Sequence, residues 1–149
     1  MPFSRAISAF VFSISVRQLN ALTISGSGSL QCGGLKTENL SLHTSGSSQM
    51  DIEPLEARQL EIRISGSGKA GIAGTVETLE VHISGSGKIL APELKSTSAS
   101  VHISGSGEVV ANPSEKLDVH ISGSGTVRYF GQPQITQHIS GSGSIKAAQ

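Results

Sequence analysis

The pentapeptide Ile-Ser-Gly-Ser-Gly stands at residues 24–28, 64–68, 83–87, 103–107, 121–125 and 139–143, and a variant, Thr-Ser-Gly-Ser-Ser, at 44–48. The residue before Ser-Gly-Ser recurs at spacings of 20, 20, 19, 20, 18 and 18. A period fixed near that length is the mark of a solenoid, in which each repeat buries its apolar face only against its neighbours. So much Ser and Gly would otherwise read as a flexible linker. Here thirteen of the eighteen Gly lie inside the seven motif copies, and the stretches between them carry Leu, Ile and Val. The glycines therefore mark structured corners.

The letters around the motif alternate. Two residues before its first position stand Leu22, Leu42, Ile62, Val81, Val101, Val119 and Gln137; four before stand Asn20, Leu40, Leu60, Leu79, Ala99, Leu117 and Ile135. After the corner come Leu30, Met50, Ala70, Ile89, Val109, Val127 and Ile145, then Cys32, Ile52, Ile72, Ala91, Ala111, Tyr129 and Ala147. Apolar spacing of two means strands with one face inward. Each rung thus holds two strands about one corner, and the repeated Ser-Gly pairs with β-branched neighbours oppose a helical solenoid. The residues closing each rung add Leu35, Leu55, Val76 and Leu94 as inward candidates, with Pro54, Pro92, Pro113 and Pro133 nearby. Proline gives no ladder donor, so length differences are expected to be absorbed there, in corners or bulges. The first motif Gly, present in all seven copies, is expected inward at a tight corner; the second, replaced once by Ser48, is expected to prefer positive φ. The predicted fold is an all-β parallel solenoid of about seven rungs of 18–20 residues. At about 4.8 Å per rung it makes a rod roughly 34 Å long.

The core must be narrow and built of small aliphatics: Trp is absent, Tyr occurs once, and the Phe are Phe3, Phe10, Phe12 and Phe130. Eleven basic residues balance eleven acidic ones with no run of either sign. That excludes the basic face of a nucleic-acid binder and a polybasic membrane patch. Cys32 is the only cysteine, so the chain makes no internal disulfide, and its slot reads as core. The N-terminal segment has a signal-peptide-like outline but is too short to span a bilayer. Its alternation of Phe10, Phe12, Ile14 and Val16 with Val11, Ser13 and Ser15 reads better as a half-buried strand.

The recurring Val-His-Ile-Ser-Gly-Ser-Gly, with its lead-in of alternating apolar residues and a late stretch carrying Tyr129, Gly131 and Pro133, resembles the bacterial family named "putative auto-transporter adhesin, head GIN domain". The resemblance covers about residues 20–146. It implies a right-handed parallel β-helix on proteins exported to the cell envelope or secreted, and brings no catalytic residues. Family members generally carry a signal peptide and an N-terminal half before this region, whereas here the repeat begins almost at once. On that comparison the chain reads as a fragment, a mis-started gene or a short natural variant.

All five histidines fill one slot, just before the motif: His43, His82, His102, His120 and His138, with Thr23 and Arg63 in the other rungs. Their neighbours point inward, so the slot points outward and forms a surface ladder. Two residues earlier on that face stand Glu61, Glu80 and Asp118. Imidazoles one rung apart, beside a carboxylate, are candidate zinc or copper ligands, His82, His102, His120 and His138 foremost. Repeat duplication, which copies residues without selecting them, is the stronger explanation. Charging neighbouring imidazoles is expected to lower their pKa values and to weaken the fold as pH falls through about 6.5. Glu61 and Glu80, one rung apart, resemble a retaining glycosidase pair in spacing alone, and no cleft or further acidic cluster accompanies them. Calcium sites of the repeat-toxin kind need Asp beside the glycines, which this motif lacks. No phosphate or dinucleotide loop is present.

The chain therefore reads as one β-solenoid domain over residues 1–149, with repeats over about 20–146. Residues 1–19 form a first strand or cap, or a signal-like segment. The expected function is a non-enzymatic structural or adhesion-type binding module without cofactor. Its candidate partners are a surface glycan, a protein or a second copy of itself. The alternatives are a carbohydrate-active or carbohydrate-binding β-helix, disfavoured by the scarcity of aromatic stacking faces, and metal capture by the histidine ladder.

Overall fold

The computed structural model describes residues 4–8, 11–15, 21–26, 28–33 and 35–147, with side chains continuous from Lys36 to Ala147. Its strands are β1 (Ser4–Ser8), β2 (Val11–Ser15), β3 (Ala21–Gly26), β4 (Ser29–Gly33), β5 (Leu35–Lys36) and β6 (Asn39–Gly46). Then come β7 (Gln49–Gly66), β8 (Lys69–Gly85), β9 (Lys88–Gly105), β10 (Glu108–Gly123), β11 (Thr126–Tyr129), β12 (Gln134–Gly141) and β13 (Ser144–Ala147). All belong to one sheet, paired in parallel between successive rungs. The chain is a parallel β-solenoid, and its seven motif corners bound about six turns. Among the described residues no helix is long and apolar enough to cross a membrane.

Register follows the motif. Ile64 stacks on Ile83, Ile83 on Ile103, Ile103 on Ile121 and Ile121 on Ile139. The motif alignment missed one layer: β1 pairs with β3 so that Ile7 lies opposite Ile24 and Ser8 opposite Ser25. The strand expected around Phe12 and Ile14 is β2, paired with β4. The burial of its side chains, and the inward placement of Leu22, Leu30, Cys32 and Leu35, lie outside the described residues.

From Leu40 to Val127 the inward columns hold, while beyond them Tyr129 and Ile145 are half-buried and Ala147 is exposed. Leu40, Leu60, Leu79, Ala99 and Leu117 form one buried column, and Met50, Ala70, Ile89, Val109 and Val127 another. Each such side chain is closed from above and below by its counterparts, so burial depends on stacking and stability is shared along the rod. The last lead-in strand departs from the expectation. Ile135 and Ile139 occupy inward slots but are 37% and 38% exposed, because no described strand stacks on β12 beyond β10. Leu55 and Leu94 are buried as expected in the closing side, with Gly74 between them in the same column. Length differences are absorbed near the prolines: the register slips between Ile52 and Leu55, beside Pro54, and on either side of Asn112 and Pro113.

The two glycines of the motif exchange their expected roles. The first adopts positive φ in every copy, from 87° at Gly26 to 126° at Gly105 and Gly123. The second is the inward one: Gly68, Gly87, Gly107 and Gly125 are buried. A Cβ on Gly107 would come within 2.8 Å of the Ile83 side chain, one rung back. The corner turns through the first glycine and leaves room for isoleucine at the second. Ser48 takes this inward slot in the copy whose leading residue is Thr44, and the hydroxyls of both are buried without a hydrogen-bond partner. Thr44→Val removes one orphaned hydroxyl at nearly constant shape and should raise stability by about 1 kcal/mol in urea denaturation.

Candidate functional site

Strand alternation sorts the end of each lead-in strand into two faces. In β8, Val81 and Ile83 point into the core, while Glu80, His82 and Ser84 point out. Repetition turns each outward position into a strip running along the rod: an acid strip, an imidazole strip and a hydroxyl strip. The imidazole strip is interrupted once, His43 lying opposite Arg63 and Arg63 opposite His82, after which His82, His102, His120 and His138 follow in register. The rings lie flat on one another. Centroids are 4.9 Å apart for His82 and His102, 4.8 Å for His102 and His120, and 4.9 Å for His120 and His138, with interplanar angles of 12°, 7° and 15°. His43 sits beyond Arg63, outside the imidazole stack.

The expected carboxylates stand beside Arg63 and two of the imidazoles. Glu61 Oε1 accepts from Arg63 Nε at 3.0 Å, Glu80 Oε1 lies 2.7 Å from His82 Nε2, and Asp118 Oδ1 lies 3.3 Å from His120 Nε2. His102, between the two acid-paired imidazoles, has Ser100 in the corresponding place. Its Nδ1 is buried without a partner. Desolvation first, then the neighbouring His82 and His120 charges, hold its pKa below the ordinary imidazole value of 6.5, against the opposing pull of Asp118 and Glu80. The repulsion expected from the sequence is present at this rung, but burial is the larger cause.

The sign of the consequence is fixed. A folded-state pKa below the unfolded one means that the unfolded chain binds more protons, so this stability is present at neutral pH. It is lost as pH falls from about 6.5 through the lowered value. The melting temperature should therefore fall between pH 7.5 and 5, and His102→Gln should flatten part of that slope; a slope unchanged by the substitution would contradict it.

The stack is poorly shaped for a metal. Two nitrogens sharing one zinc at ordinary bond lengths lie no more than about 4 Å apart, whereas flat rings hold equivalent nitrogens at roughly the stacking distance. Among the described residues no three His, Cys, Asp or Glu side chains gather as metal ligands. Glu61 is held sideways by Arg63 and Glu80 by the His82 imidazole of its own rung, and neither lines a cleft.

What alternation alone did not reveal is a groove. The imidazole strip forms one wall and the first motif serines, Ser65, Ser84, Ser104, Ser122 and Ser140, the other, with the intervening isoleucines between. Its volume is about 860 Å³ and it runs along the rod from His43 to Ser140. The sequence signal was available, since the serine lies two residues after the histidine and so shares its face.

Over residues 4–133 the sequence matches the family described as "Putative auto-transporter adhesin, head GIN domain". A comparison with curated proteins finds no match. Among solved structures, a putative adhesin from Bacteroides fragilis is 29% identical with a TM-score of 0.82, over 87% of this chain and 61% of that one. A putative lipid binding protein from Parabacteroides distasonis is also 29% identical, with a TM-score of 0.85, over 98% of this chain and 58% of that one. A putative adhesin from the same organism, at 23% identity and TM-score 0.82, covers 97% of this chain and 63% of its own length and shares the fold. The chain thus spans about three fifths of the length of these structures.

Proposed function

This chain belongs to the family described as putative auto-transporter adhesin, head GIN domain, and on that footing we propose that it is a non-enzymatic, adhesion-type binding module of a cell-envelope or secreted protein. The groove between the histidine and serine strips is its binding face. The observation that carries this reading is the groove itself: one trough with a serine on one side and a histidine, or once Arg63, on the other at successive rungs, built on a frame of parallel hydrogen bonds. Such a surface offers an extended ligand many equal contacts without rearrangement, which favours binding by preorganisation. Carboxylates engaged by Arg63, His82 and His120 of their own rungs support a binding role over a hydrolytic one.

The test immobilises the full chain and presents surface polysaccharides, extracellular proteins and phospholipid vesicles, the last because one solved structure carries the name of a lipid binding protein. A variant with Ser104→Gln and Ser122→Gln narrows the groove from exposed positions without adding charge or touching the core. Capture of at least one ligand, weakened tenfold or more in this variant, is expected. Capture that the variant leaves intact, or enzymatic release of reducing ends from a captured glycan, would overturn the reading.

A further inference from the structure

We propose that the groove binds a linear polyanion, of the acidic-polysaccharide class, and that protonation of the imidazole strip switches this binding on. The inference rests on the groove being the binding face. With neutral imidazoles, the strip carries one positive group, Arg63, against three carboxylates, Glu61, Glu80 and Asp118. With all five imidazoles protonated, six positive groups face the same three. The face changes sign over the pH range in which histidine titrates, so pH controls the field that an approaching anion meets.

The spacing names the shape of the ligand. Charges recur along a straight line every 4.8–4.9 Å over four rungs. A chain bearing one carboxylate or sulfate per sugar unit presents charges at a comparable interval. His102 and His138 have Ser100 and Thr136, not carboxylates, at the positions that pair His82 and His120. Neither imidazole has a carboxylate in its own rung, and His102 feels those of Glu80 and Asp118 only from the neighbouring rungs, so a bound anion adds the counter-charge that these two rungs lack. The opposite wall supplies hydroxyls that donate to and accept from sugar hydroxyls. A compact anion would need converging donors, whereas here the donors lie in a row. A bilayer spreads its charge over a plane, whereas the imidazoles and Arg63 present theirs in a single row beside the serines.

Protonation has a cost at one rung. Burial and its charged neighbours hold His102 in the neutral form to lower pH, so a bound anion between His82 and His120 must draw a proton onto it. Binding is therefore accompanied by proton uptake, and its affinity rises as pH falls.

Titration calorimetry of the full chain with alginate oligosaccharides, a linear polyuronate, tests this at pH 7.5 and pH 5.5, with uncharged dextran and phosphatidylglycerol vesicles alongside. Alginate is expected to bind at least tenfold more tightly at pH 5.5, with proton uptake read from the dependence of heat on buffer, and dextran to show no pH response. A triple variant, His82→Gln, His102→Gln and His120→Gln, keeps side chains that stack along a β-ladder and should lose the pH response while keeping its circular dichroism. The wild-type pH comparison decides the matter even if that variant fails to fold. Equal affinity at both pH values, or vesicle binding with the pH response and no alginate binding, would overturn the proposal. Should alginate fail at both pH values while another ligand is still captured through the groove, the polyanion inference falls and the adhesion-type reading stands. If no ligand is captured through the groove, both fall.

Discussion

Gly105→Ala is expected to destabilise the protein by at least about 3 kcal/mol, and to lower its urea midpoint accordingly. Gly105 turns the corner at φ 126°, a conformation that side-chain-bearing residues rarely adopt, and a Cβ there would lie 2.5 Å from the carbonyl oxygen of Gly85 on the preceding rung. That carbonyl cannot move aside freely, because it accepts the hydrogen bond from the Ser106 amide at 2.9 Å. The same bond recurs from Ser124 to Gly105 and from Ser142 to Gly123. Displacing one corner therefore disturbs the rungs on both sides. Ser106→Ala, in the same corner but exposed, should change stability by no more than about 0.5 kcal/mol. If the two variants lost similar amounts, the corner would owe its repetition to something other than backbone stacking.

Leu79→Ala is expected to cost about 2–5 kcal/mol, the range for emptying a well-packed site. Leu79 is 0% exposed in a central rung, opposite Leu60 on one side and Ala99 on the other. Ala99 is already small, and the flanking strands are fixed by parallel ladders, so the gap has little means of closing. Ile135→Ala removes a side chain of similar size at the corresponding slot of β12, but Ile135 is 37% exposed. Its loss should cost less than about 1 kcal/mol. Chemical denaturation with comparison of midpoints and slopes separates the two. Equal losses would mean that burial does not grade along the rod as the packing requires.

Much of this architecture can be read from the letters because strand side chains repeat at two and rungs repeat near twenty. The columns of Leu40 to Leu117 and of Met50 to Val127 needed nothing more. Two classes of fact needed coordinates. Gly105 and Gly107 stand two residues apart in identical surroundings, and only backbone angles and the contact with Ile83 reveal that the first turns the corner while the second makes room. Sequence slot likewise did not fix burial for Ile135 and Ile139, since an inward direction buries a side chain only where another rung covers it. The Ile7 layer escaped the motif because Ala9 and Phe10 stand where later copies have Gly and Ser. As for the site, the histidine strip and its acidic neighbours were legible as an outward alternation. The two walls of the groove were legible too, since His and Ser two residues apart share a face, but its volume was not. The dominance of burial over repulsion at His102 also required the surroundings of Nδ1.

The most direct test of the groove as the functional face is a map of backbone amide chemical shifts on an isotopically labelled chain at pH 5.5, as alginate oligosaccharide is added. The expected shifts cluster on the outward residues from Arg63 to Ser140, strongest near His102 and Ser104, with the amides of Lys69, Lys88 and Lys95 unmoved. Shifts centred on those lysines, or spread evenly over the rod, would contradict the assignment of the groove as the binding face.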